Sequence, residues 1–505
     1  MSSSELALRL VRKWWIVPLL CSLFGLGMFL GSPTMAVSDA EVHLGSAWYD
    51  IHHGLPITDR VNIPDSASLA PCYDGAPERN ASCQTPSGAA DVSAYTGRLA
   101  NYPPPFYWML GVGELAMSAF STGAIGDGGR LLGLVVCLTL LFLAAWSLHR
   151  AGERSAVWAV YLLLTPIAVS DFAGGNPSGW EIACALLLSA TLLYRRSALA
   201  SGTVGGRAVM SILFAGLLLS TSRPLSALWV IAIAVGFILW TGVWRVRKSM
   251  IVLFLALLPG VVFMVTWGLF FPSRVYVGGQ VAPASIHELL TSVLYSAQDV
   301  LAKADTVWGV LGWEDTHPSA FAWVALLAVL IYFLPTYAPT RSHRRMLVAI
   351  VAASFSASVV LEALGWRWLP DWWQGRYIDP LLVGLAMLLF SDPGRVERPG
   401  LFALAAWVTV LNTYMICMNF WRYDYGISEG FPIQTQHATF GILQSTAVYG
   451  VAALMAASCV LLAAADKALR REQLGDVEVP GEHSDRPKLR GIERSHRGVA
   501  SAGDR

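Results

Sequence analysis

Charge is scarce in this sequence. Charged residues make up 14% of the 505-residue chain, whereas a soluble domain carries roughly 25%. So few charges cannot cover the surface of a soluble protein of this length, and the composition excludes that class. The net charge of +1 also excludes the concentrated basic face that a nucleic-acid partner requires.

Cysteine and histidine are sparse too, with seven and ten copies, and no group of them has the spacing of metal ligands. No cofactor is assigned from the sequence, and a divalent metal with other ligands is left open. Five cysteines lie in apolar segments, as packing residues do. Cys72 and Cys83 instead lie together in one polar loop. We predict that they form a disulfide, which requires a compartment outside the cytoplasm.

Apolar segments, by contrast, recur along most of the chain. A helix needs about 20 mostly apolar residues to span a membrane. The first run follows Arg9, Arg12 and Lys13 and has no evident small-residue cleavage site, so it is expected to be a retained anchor. The predicted spans, approximate at their ends, are 14–37, 130–149, 155–170, 178–195, 207–222, 225–243, 249–271, 319–337, 344–365, 376–391, 400–418 and 442–465.

Basic residues set the orientation of these spans. Lysine and arginine cluster at seven places, and the positive-inside rule puts such clusters in the cytoplasm. All seven lie there if the further apolar segment 105–122 stays on the outer face or only dips into the membrane. The sequence therefore predicts an all-α, polytopic plasma-membrane protein with about twelve spans, an outer juxtamembrane helix and both termini in the cytoplasm.

This topology divides the chain into three parts. Residues 1–13 form a cytoplasmic N-terminus, and 14–465 form the membrane domain with a large outer loop over 38–104. The charged segment 466–505 has too few large apolar residues to bury a core, so it is predicted to be a disordered cytoplasmic tail.

Three polar residues follow the first span at every second position, namely Asp39, Glu41 and His43. An extended strand would point all three to one side, whereas a helix would spread them. A carboxylate beside apolar lipid has a raised pKa and can serve as a general base. Asp39 and Glu41 are therefore candidate catalytic residues, and His43 is a candidate binding residue. The alternative is a pair of solvated acids at a helix exit.

More polar residues lie on the same predicted face. The loop ends in three prolines, and three aromatic residues follow, of which Tyr107 suits the start of an interfacial helix. A turn rich in Gly and Pro carries Asp171 and Asn176 and allows close backbone approach. Arg223 lies between two later spans. We interpret these four as candidate substrate-binding residues, with a simple aromatic belt as the alternative for Tyr107.

The most specific motif opens a late span and reads Gln-Gly-Arg-Tyr over 374–377. An arginine at the outer mouth of a span can bind phosphate through two parallel hydrogen bonds. Trp372 and Trp373 beside it can hold an isoprenoid chain or a sugar ring. The alternative is an arginine that snorkels to the interface among aromatic anchors. The candidate substrate-binding residues of this motif are Gln374, Arg376 and Tyr377.

These segments, in this order, resemble a bacterial family of polytopic membrane proteins known as domain of unknown function 2142, over roughly residues 14–465. The Gln-Gly-Arg-Tyr motif carries most of the resemblance, and the acid–His motif, the Pro-Pro-aromatic entry and the turn near Asn176 add to it. The family usually has a tighter Asp-Glu-Pro-x-His run. Here Ala40 separates Asp39 from Glu41 and no proline follows, so either acid can inherit the family role.

The layout also resembles membrane glycosyltransferases of the GT-C architecture. That resemblance implies a catalytic carboxylate in the first outer loop and a polyprenyl-phosphate sugar donor, held in the lipid bilayer. Asp39 or Glu41 would deprotonate the hydroxyl of an envelope acceptor on the outer face, and Arg376, with Arg223, would neutralise the leaving phosphate. The acids and Arg376 are expected to face one outer cavity, with Arg223 and Gln374 near it.

Two other functions would use the same residues. A transporter or flippase of lipid-linked glycans would need the arginines and aromatic residues without a base, and its polar groups would spread through the depth of the membrane. A non-catalytic scaffold for polysaccharide assembly would need neither. The sequence favours the transferase, because the middles of its spans are almost free of charge.

The segment 105–122 provides a test of this topology. We predict that a cysteine placed at Ser121 reacts with a membrane-impermeant maleimide added from outside the cell. Labelling from the cytoplasmic side alone would contradict the prediction, because every later loop would then change sides.

Overall fold

The structure is a computed structural model that describes residues 2–54, 61–84, 91–94, 99, 101–271, 285–337, 340–365, 373–391, 400–428, 431–433 and 438–475. Nineteen α-helices lie within these residues. Their bounds are α1 (Ser3–Val11), α2 (Ile16–Leu30), α3 (Ala40–His53), α4 (Asp65–Ser68), α5 (Pro104–Ser118), α6 (Ile125–Arg150), α7 (Arg154–Leu162), α8 (Pro166–Gly174), α9 (Pro177–Tyr194), α10 (Arg196–Ser201), α11 (Gly206–Ser220), α12 (Ser226–Thr241), α13 (Arg247–Phe270), α14 (Ile286–Ala302), α15 (Ala320–Tyr337), α16 (Arg341–Gly365), α17 (Asp379–Leu389), α18 (Leu401–Asp424) and α19 (Ile442–Gly475).

Four short strands within the described residues form two antiparallel pairs on the loops. Strand β1 (Val61–Pro64) pairs with β2 (Asp91–Ala94), and β3 (Ile427–Ser428) pairs with β4 (Phe431–Pro432). Both pairs are too small to form a core of their own. The fold is therefore a packed set of helices.

Helix α9 lies at the centre of this packing. Every residue from Pro177 to Leu193 is buried, and the helix contacts α6, α8, α11, α12 and α17. A helix that is apolar on all sides is stable only when neighbours enclose it. Glu181 is the one carboxylate on this helix, so it must find its partners inside the protein.

Local sequence explains where α8 and α9 begin. The side chains of Thr165 and Asn176 each accept a hydrogen bond from the first turn of the following helix. Pro166 and Pro177 come next, and proline suits that position because an N–H there would have no helical partner. Gly175 between the helices has a φ of 73°, a left-handed conformation that glycine adopts without strain. The chain therefore reverses within two residues.

The membrane class of the fold is confirmed. By length and composition, five described helices can cross a membrane, namely α6, α13, α16, α18 and α19. Two bent pairs, α1 with α2 at 82° and α7 with α8 at 70°, raise the total to as many as seven. Helices α11, α12, α15 and α17 are apolar but shorter. The count of twelve is thus not confirmed, and the position of the termini stays a prediction.

Three boundaries differ from those expected from the sequence. The first apolar helix stops at Leu30, where Gly, Ser and Pro33 follow, and a proline disfavours helix in the residue before it. The expected span 155–170 is broken, because Pro166 starts a new helix there. The last helix continues past residue 465 to Gly475; the remainder of the predicted tail, 476–505, lies outside the described residues.

Polar contacts explain why α19 continues. Asp466 accepts a hydrogen bond from the backbone N–H of Gly400 at 3.0 Å and one from Arg470 at 2.8 Å. One turn later Glu472 pairs with Arg12 at 2.8 Å, where α1 packs against α19. These partners stabilise the helix beyond its apolar part. Composition alone did not indicate that the helix continues.

The first large loop is fixed by a covalent bond and by a buried arginine. A disulfide joins Cys72 and Cys83, whose Cα atoms are 6.1 Å apart. Arg422, near the end of α18, donates to the carbonyls of Tyr73 and Arg79 at 2.8 and 2.6 Å and to Asp315 at 2.8 Å. Because Arg422 is only 1% exposed, it has little water and depends on these three acceptors.

A second buried arginine joins three helices below the loop. Arg130 on α6 donates to the carbonyls of Phe29 at 3.3 Å and Ser32 at 3.1 Å, at the end of α2, and to Ala173 at 2.9 Å near the end of α8. The last carbonyls of a helix have no helical partner and carry partial negative charge. Arg130 satisfies both helix ends and so fixes where the chain leaves α2.

Helices α5 and α6 approach each other closely at two glycines. A Cβ at Gly128 would overlap the carbonyl oxygen of Gly113, which is backbone and cannot rotate away. In α19, by contrast, a Cβ at Gly450 meets no atom within 4 Å. The α5–α6 contact therefore requires glycine, and the exposed surface of α19 does not.

We expect Gly128→Ala to lower the free energy of unfolding by about 1–3 kcal/mol, as overpacking does. Gly450→Ala is the matched control, and it should be neutral or stabilising by up to about 1 kcal/mol. Thermal unfolding in detergent measures both. Equal midpoints for the two variants would show that α5 and α6 are not in this contact.

Candidate functional site

The site is built around a 3-10 turn, Gly375–Tyr377, that leads into α17. The backbone N–H of Gly375 donates to Thr306 Oγ1 at 2.8 Å. A Cβ at Gly375 would overlap the backbone of Thr306 and Val307, so only glycine permits this approach. The glycine of the Gln-Gly-Arg-Tyr motif therefore sets the depth at which Arg376 enters the protein.

Arg376 is buried between two carboxylates. Its side chain is 4% exposed, with one amino group 3.2 Å from Asp39 Oδ2 and the other 3.5 Å from Asp171 Oδ1. A guanidinium does not lose its proton in a protein, so it is stable at this depth only with negative charge beside it. The first-loop acid and the late arginine, expected to share a cavity, are in direct contact.

Asp39 is held in an uncommon backbone conformation. It precedes the first turn of α3 with a φ of 63°, in the left-handed region that few residues other than glycine adopt. The preceding residue, Ser38, donates its N–H to Gly312 O at 3.1 Å and accepts from Asn176 Nδ2 at 3.0 Å. Two separate segments of the chain thus fix the backbone beside Asp39.

The three alternating polar residues after the first span do not share one face. Helix α3 begins at Ala40, so their side chains spread around the helix as the helical alternative requires. The Glu41 carbonyl accepts from Ser68 Oγ at 2.9 Å, and Gly45, one turn later, also faces Ser68. Glu41 therefore lies on the side of α3 that faces α4, while Asp39 contacts Arg376.

His43 packs on the other side of α3 against the aromatic residues of α5. Its Nδ1 lies 3.0 Å from the hydroxyl of Tyr107. The rings of His43, Tyr102 and Tyr107 lie 6.0–6.3 Å apart, centroid to centroid. The aromatic entry of the loop is thus part of the same polar assembly.

A second arginine joins this assembly from the turn after α11. Arg223 donates to Ser178 Oγ at 2.7 Å and to the Tyr102 hydroxyl at 3.1 Å, and lies 3.9 Å from Glu181 Oε2. The Tyr377 ring is 4.6 Å from the Arg223 guanidinium and 5.8 Å from that of Arg376. Both distances allow cation–π attraction, so Tyr377 links the two cations.

The remaining predicted residues of this set have different surroundings. Asn176 is buried, with its amide occupied by Ser38 and by the first turn of α9. Gln374 is half-buried, and its Oε1 has no hydrogen-bond partner among the described residues. Trp373 is fully buried at 1% exposure, and Trp372 lies outside the described residues.

The site is richer in acids than the sequence indicates. Two arginines face Asp39, Asp171 and Glu181, and Glu314 lies close enough to Arg376 and Asp39 to interact electrostatically with both. The carboxylates of Asp39 and Asp171 occupy the two amino groups of Arg376, so an anion that pairs with either amino group has to replace a carboxylate. Within the described part of the chain, no group of three or more His, Cys, Asp or Glu residues could hold a metal ion.

Two buried acids between α3 and α5 also escaped the sequence analysis. Asp50 is 1% exposed and Glu114 is fully buried. Burial raises the pKa of Glu114 well above its usual value, with a further contribution from Asp50. Each acid lies seven residues after His43 or Tyr107, which is two helical turns. That spacing could have identified both acids from the sequence, because it places them on the same helix faces as His43 and Tyr107.

One family model matches most of the chain. Residues 21–385, more than half of the chain, match the family model described as Predicted membrane protein (DUF2142). No curated protein matches the chain. The chain is similar to the crystal structure of ArnT from Cupriavidus metallidurans bound to undecaprenyl phosphate, with 13% identity and a TM-score of 0.41, over 92% of this chain and 79% of that one. A likeness of this size assigns neither activity nor ligand to this chain.

Asp50 makes stability depend on pH. Burial raises its pKa to about 7, whereas in an unfolded chain it is about 3.9. The folded protein thus binds more protons between these values, and its stability should fall as the pH rises from about 4 to about 7 and level off by about 8.

Asp50→Asn should remove part of that fall and stabilise the protein at about pH 8, by at most about 4 kcal/mol. Thermal midpoints across this range measure the effect, with the exposed Glu288→Gln as control. An Asp50→Asn profile parallel to that of the wild type would contradict the assignment.

Proposed function

The chain belongs to the DUF2142 family of predicted membrane proteins, and we propose that it is a membrane glycosyltransferase. In this proposal it moves a sugar from a polyprenyl-phosphate donor to an acceptor hydroxyl at the outer face. The observation that carries the proposal is the contact of Asp39 with Arg376 at 3.2 Å. It brings a candidate base and a candidate phosphate ligand to one point, as a reaction between two bound groups requires.

Donor binding begins with an exchange of partners at Arg376. Asp171 is fully buried on α8, whereas the Asp39 side chain is 29% exposed. An incoming phosphate therefore displaces Asp39 and leaves Asp171 in place. The planar guanidinium then offers parallel N–H donors to two phosphate oxygens. Arg376 changes from one anionic partner to another without ever being unpaired.

The same exchange prepares Asp39 for catalysis. A carboxylate beside a cation holds protons weakly, and it holds them more tightly once that cation is neutralised. Asp39 then accepts the proton of the acceptor hydroxyl. The acceptor oxygen bonds to the anomeric carbon as the bond from that carbon to the phosphate oxygen breaks. The bonding electron pair leaves with the polyprenyl phosphate, and Arg376 holds the added negative charge.

The two first-loop acids have different roles in this scheme. Asp39 contacts Arg376, whereas Glu41 lies on the face of α3 toward α4. The base is therefore assigned to Asp39, and Glu41 is left with a supporting position in the first turn of α3. A helix N-terminus favours negative charge, which gives Glu41 a structural reason to be there.

Arg223 and the aromatic residues form the second half of the site. Tyr377 lies between the two guanidiniums, and Tyr102 binds Arg223 from the first loop. Aromatic faces offer flat apolar contact with polar edges, which suits a sugar ring. We assign the sugar to this region and the phosphate to Arg376.

Transport of a lipid-linked glycan receives less support from this arrangement. The ionisable side chains that pair with the two arginines gather around one turn rather than along a path through the membrane; they are Asp39, Asp171 and Glu181. Costly buried charges are expected where function needs them. The concentration of these groups at one point favours a chemical reaction over the passage of a glycan through the membrane.

We expect Asp39→Asn to lower the transfer rate by about 100-fold or more, since it removes the general base. Arg376→Lys keeps the charge but loses the planar pair of donors, so it should also reduce transfer. The effect of Glu41→Gln should be much smaller than that of Asp39→Asn. The measurement is transfer from labelled polyprenyl-phosphate sugars by purified protein.

Arg12→Gln is the control, because its ion pair with Glu472 joins α1 to α19 at the opposite end of α2 from the site. Each variant is also checked for an unchanged thermal midpoint. Full transfer by folded Asp39→Asn would refute the proposed mechanism. Movement of lipid-linked glycan across vesicle membranes without any transfer would instead favour the transporter.

A further inference from the structure

A tight turn in the loop before α15 lies against the candidate site. Leu311 and Thr316 exchange backbone hydrogen bonds at 3.0 and 3.3 Å and close the turn. Gly312 has a φ of 68° and Glu314 a φ of 62°. A left-handed glycine is ordinary in such a turn, whereas a left-handed glutamate is uncommon. The turn therefore holds Glu314 in a backbone conformation that glutamate rarely adopts.

Three contacts fix this turn, two of them to the segment that carries Asp39 and one to α18. Trp313 Nε1 donates to Met35 O at 3.0 Å, and Gly312 O accepts from Ser38 N at 3.1 Å. Asp315 pairs with the buried Arg422 at 2.8 Å. The backbone on both sides of Glu314 is therefore fixed, on one side directly to the segment that carries Asp39.

Left-handed backbone is concentrated at this junction. Among the described residues other than glycine, positive φ occurs at Met35, Asp39 and Glu314. All three belong to the two segments that these hydrogen bonds join. Disfavoured backbone persists where the surroundings hold it, often at functional sites. Two of the three residues are acids: Asp39 contacts Arg376, and Glu314 interacts with it electrostatically.

The electrostatic surroundings of Glu314 connect it to the reacting groups. Burial raises its pKa, while Arg376 and then Lys303 lower it and Asp39 and Asp171 raise it. Neutralising Arg376 therefore removes the strongest influence that lowers the pKa of Glu314, while the electrostatic interaction between Glu314 and Asp39 remains. The charged and titratable groups around the Asp39–Glu314 pair are Arg376, Lys303, Asp171, Asp74, Tyr107 and Tyr377.

We propose that Glu314 is a positioning residue of the site, whose negative charge beside Asp39 makes the two carboxylates bind one proton between them once a donor phosphate occupies Arg376. The inference rests on the proposed exchange of partners at Arg376. Like charges that share a site cannot both stay ionised at full strength. Glu314 thereby strengthens Asp39 as a proton acceptor without contacting the substrate.

Proton uptake during ligand binding tests this proposal without any turnover. The probe is farnesyl methyl phosphate, an isoprenoid phosphodiester with one negative charge and no titratable proton near neutrality. Calorimetric binding at about pH 6 in two buffers of different ionisation enthalpy gives the protons taken up. We expect up to about one proton per probe bound by the wild type, and about half of that or less by Glu314→Asn.

Asparagine is the informative replacement, because it tolerates left-handed backbone and carries no charge. Glu314→Asn should therefore keep or raise the thermal midpoint while it loses proton uptake. Glu314→Asp, which retains the charge, should restore uptake, and the exposed Glu288→Gln should leave it unchanged. A loss of uptake with intact folding cannot come from a merely structural role.

The outcomes separate this inference from the proposed function. A wild-type protein that does not bind the probe overturns the phosphate site and the inference with it. Binding without proton uptake, or uptake that is unchanged in Glu314→Asn, overturns the role of Glu314 alone and leaves the assignment of Arg376 to phosphate in place.

Discussion

The burial of Arg376 is the constraint on which the candidate site depends. A guanidinium keeps its charge at any depth, so the surrounding structure must supply anions. Asp39 from the first loop and Asp171 from α8 do so, at 3.2 and 3.5 Å. Three regions distant in sequence must therefore meet within the distance of an ion pair. The close approach at Gly375 and the left-handed backbone at Asp39 are consequences of that requirement.

The two other buried arginines help to hold these regions in place. Arg130 fixes the end of α2 against α8, and therefore the start of the segment that leads to Asp39. Arg422 fixes the disulfide-closed loop and, through Asp315, the turn that carries Glu314. Each satisfies several carbonyls at once, which a lysine with its compact charge could not do in the same geometry. In this part of the fold, guanidinium groups thus hold loops against helix ends.

Much of this arrangement can be predicted from the sequence, and the limits have physical causes. Apolar length located most helices, and residue chemistry selected Asp39, Arg223 and Arg376, because buried ionisable groups stand out in an apolar chain. Glu314 gave no such signal, since an acid in a polar loop is ordinary and its left-handed backbone follows from contacts with residues 35–38. Arg130 was included in a span as its first residue, although its function is to bind helix ends. Whether Glu41 and Asp39 point to the same side depends on whether the chain is helical or extended at Ala40. Two alternating acids are compatible with both conformations, so the sequence does not distinguish them.

The Asp171–Arg376 pair forms late in biogenesis, because Asp171 is synthesised well before Arg376. Helices enter a membrane from the translocon as they are synthesised, and Asp171 arrives long before its cation. At ~5–20 residues per second the interval lasts roughly ten to forty seconds. An acid without a counter-ion enters an apolar environment in its neutral form. Until Arg376 is synthesised, Asp171 lacks the arginine that its buried position pairs with, so the site is completed only late in synthesis.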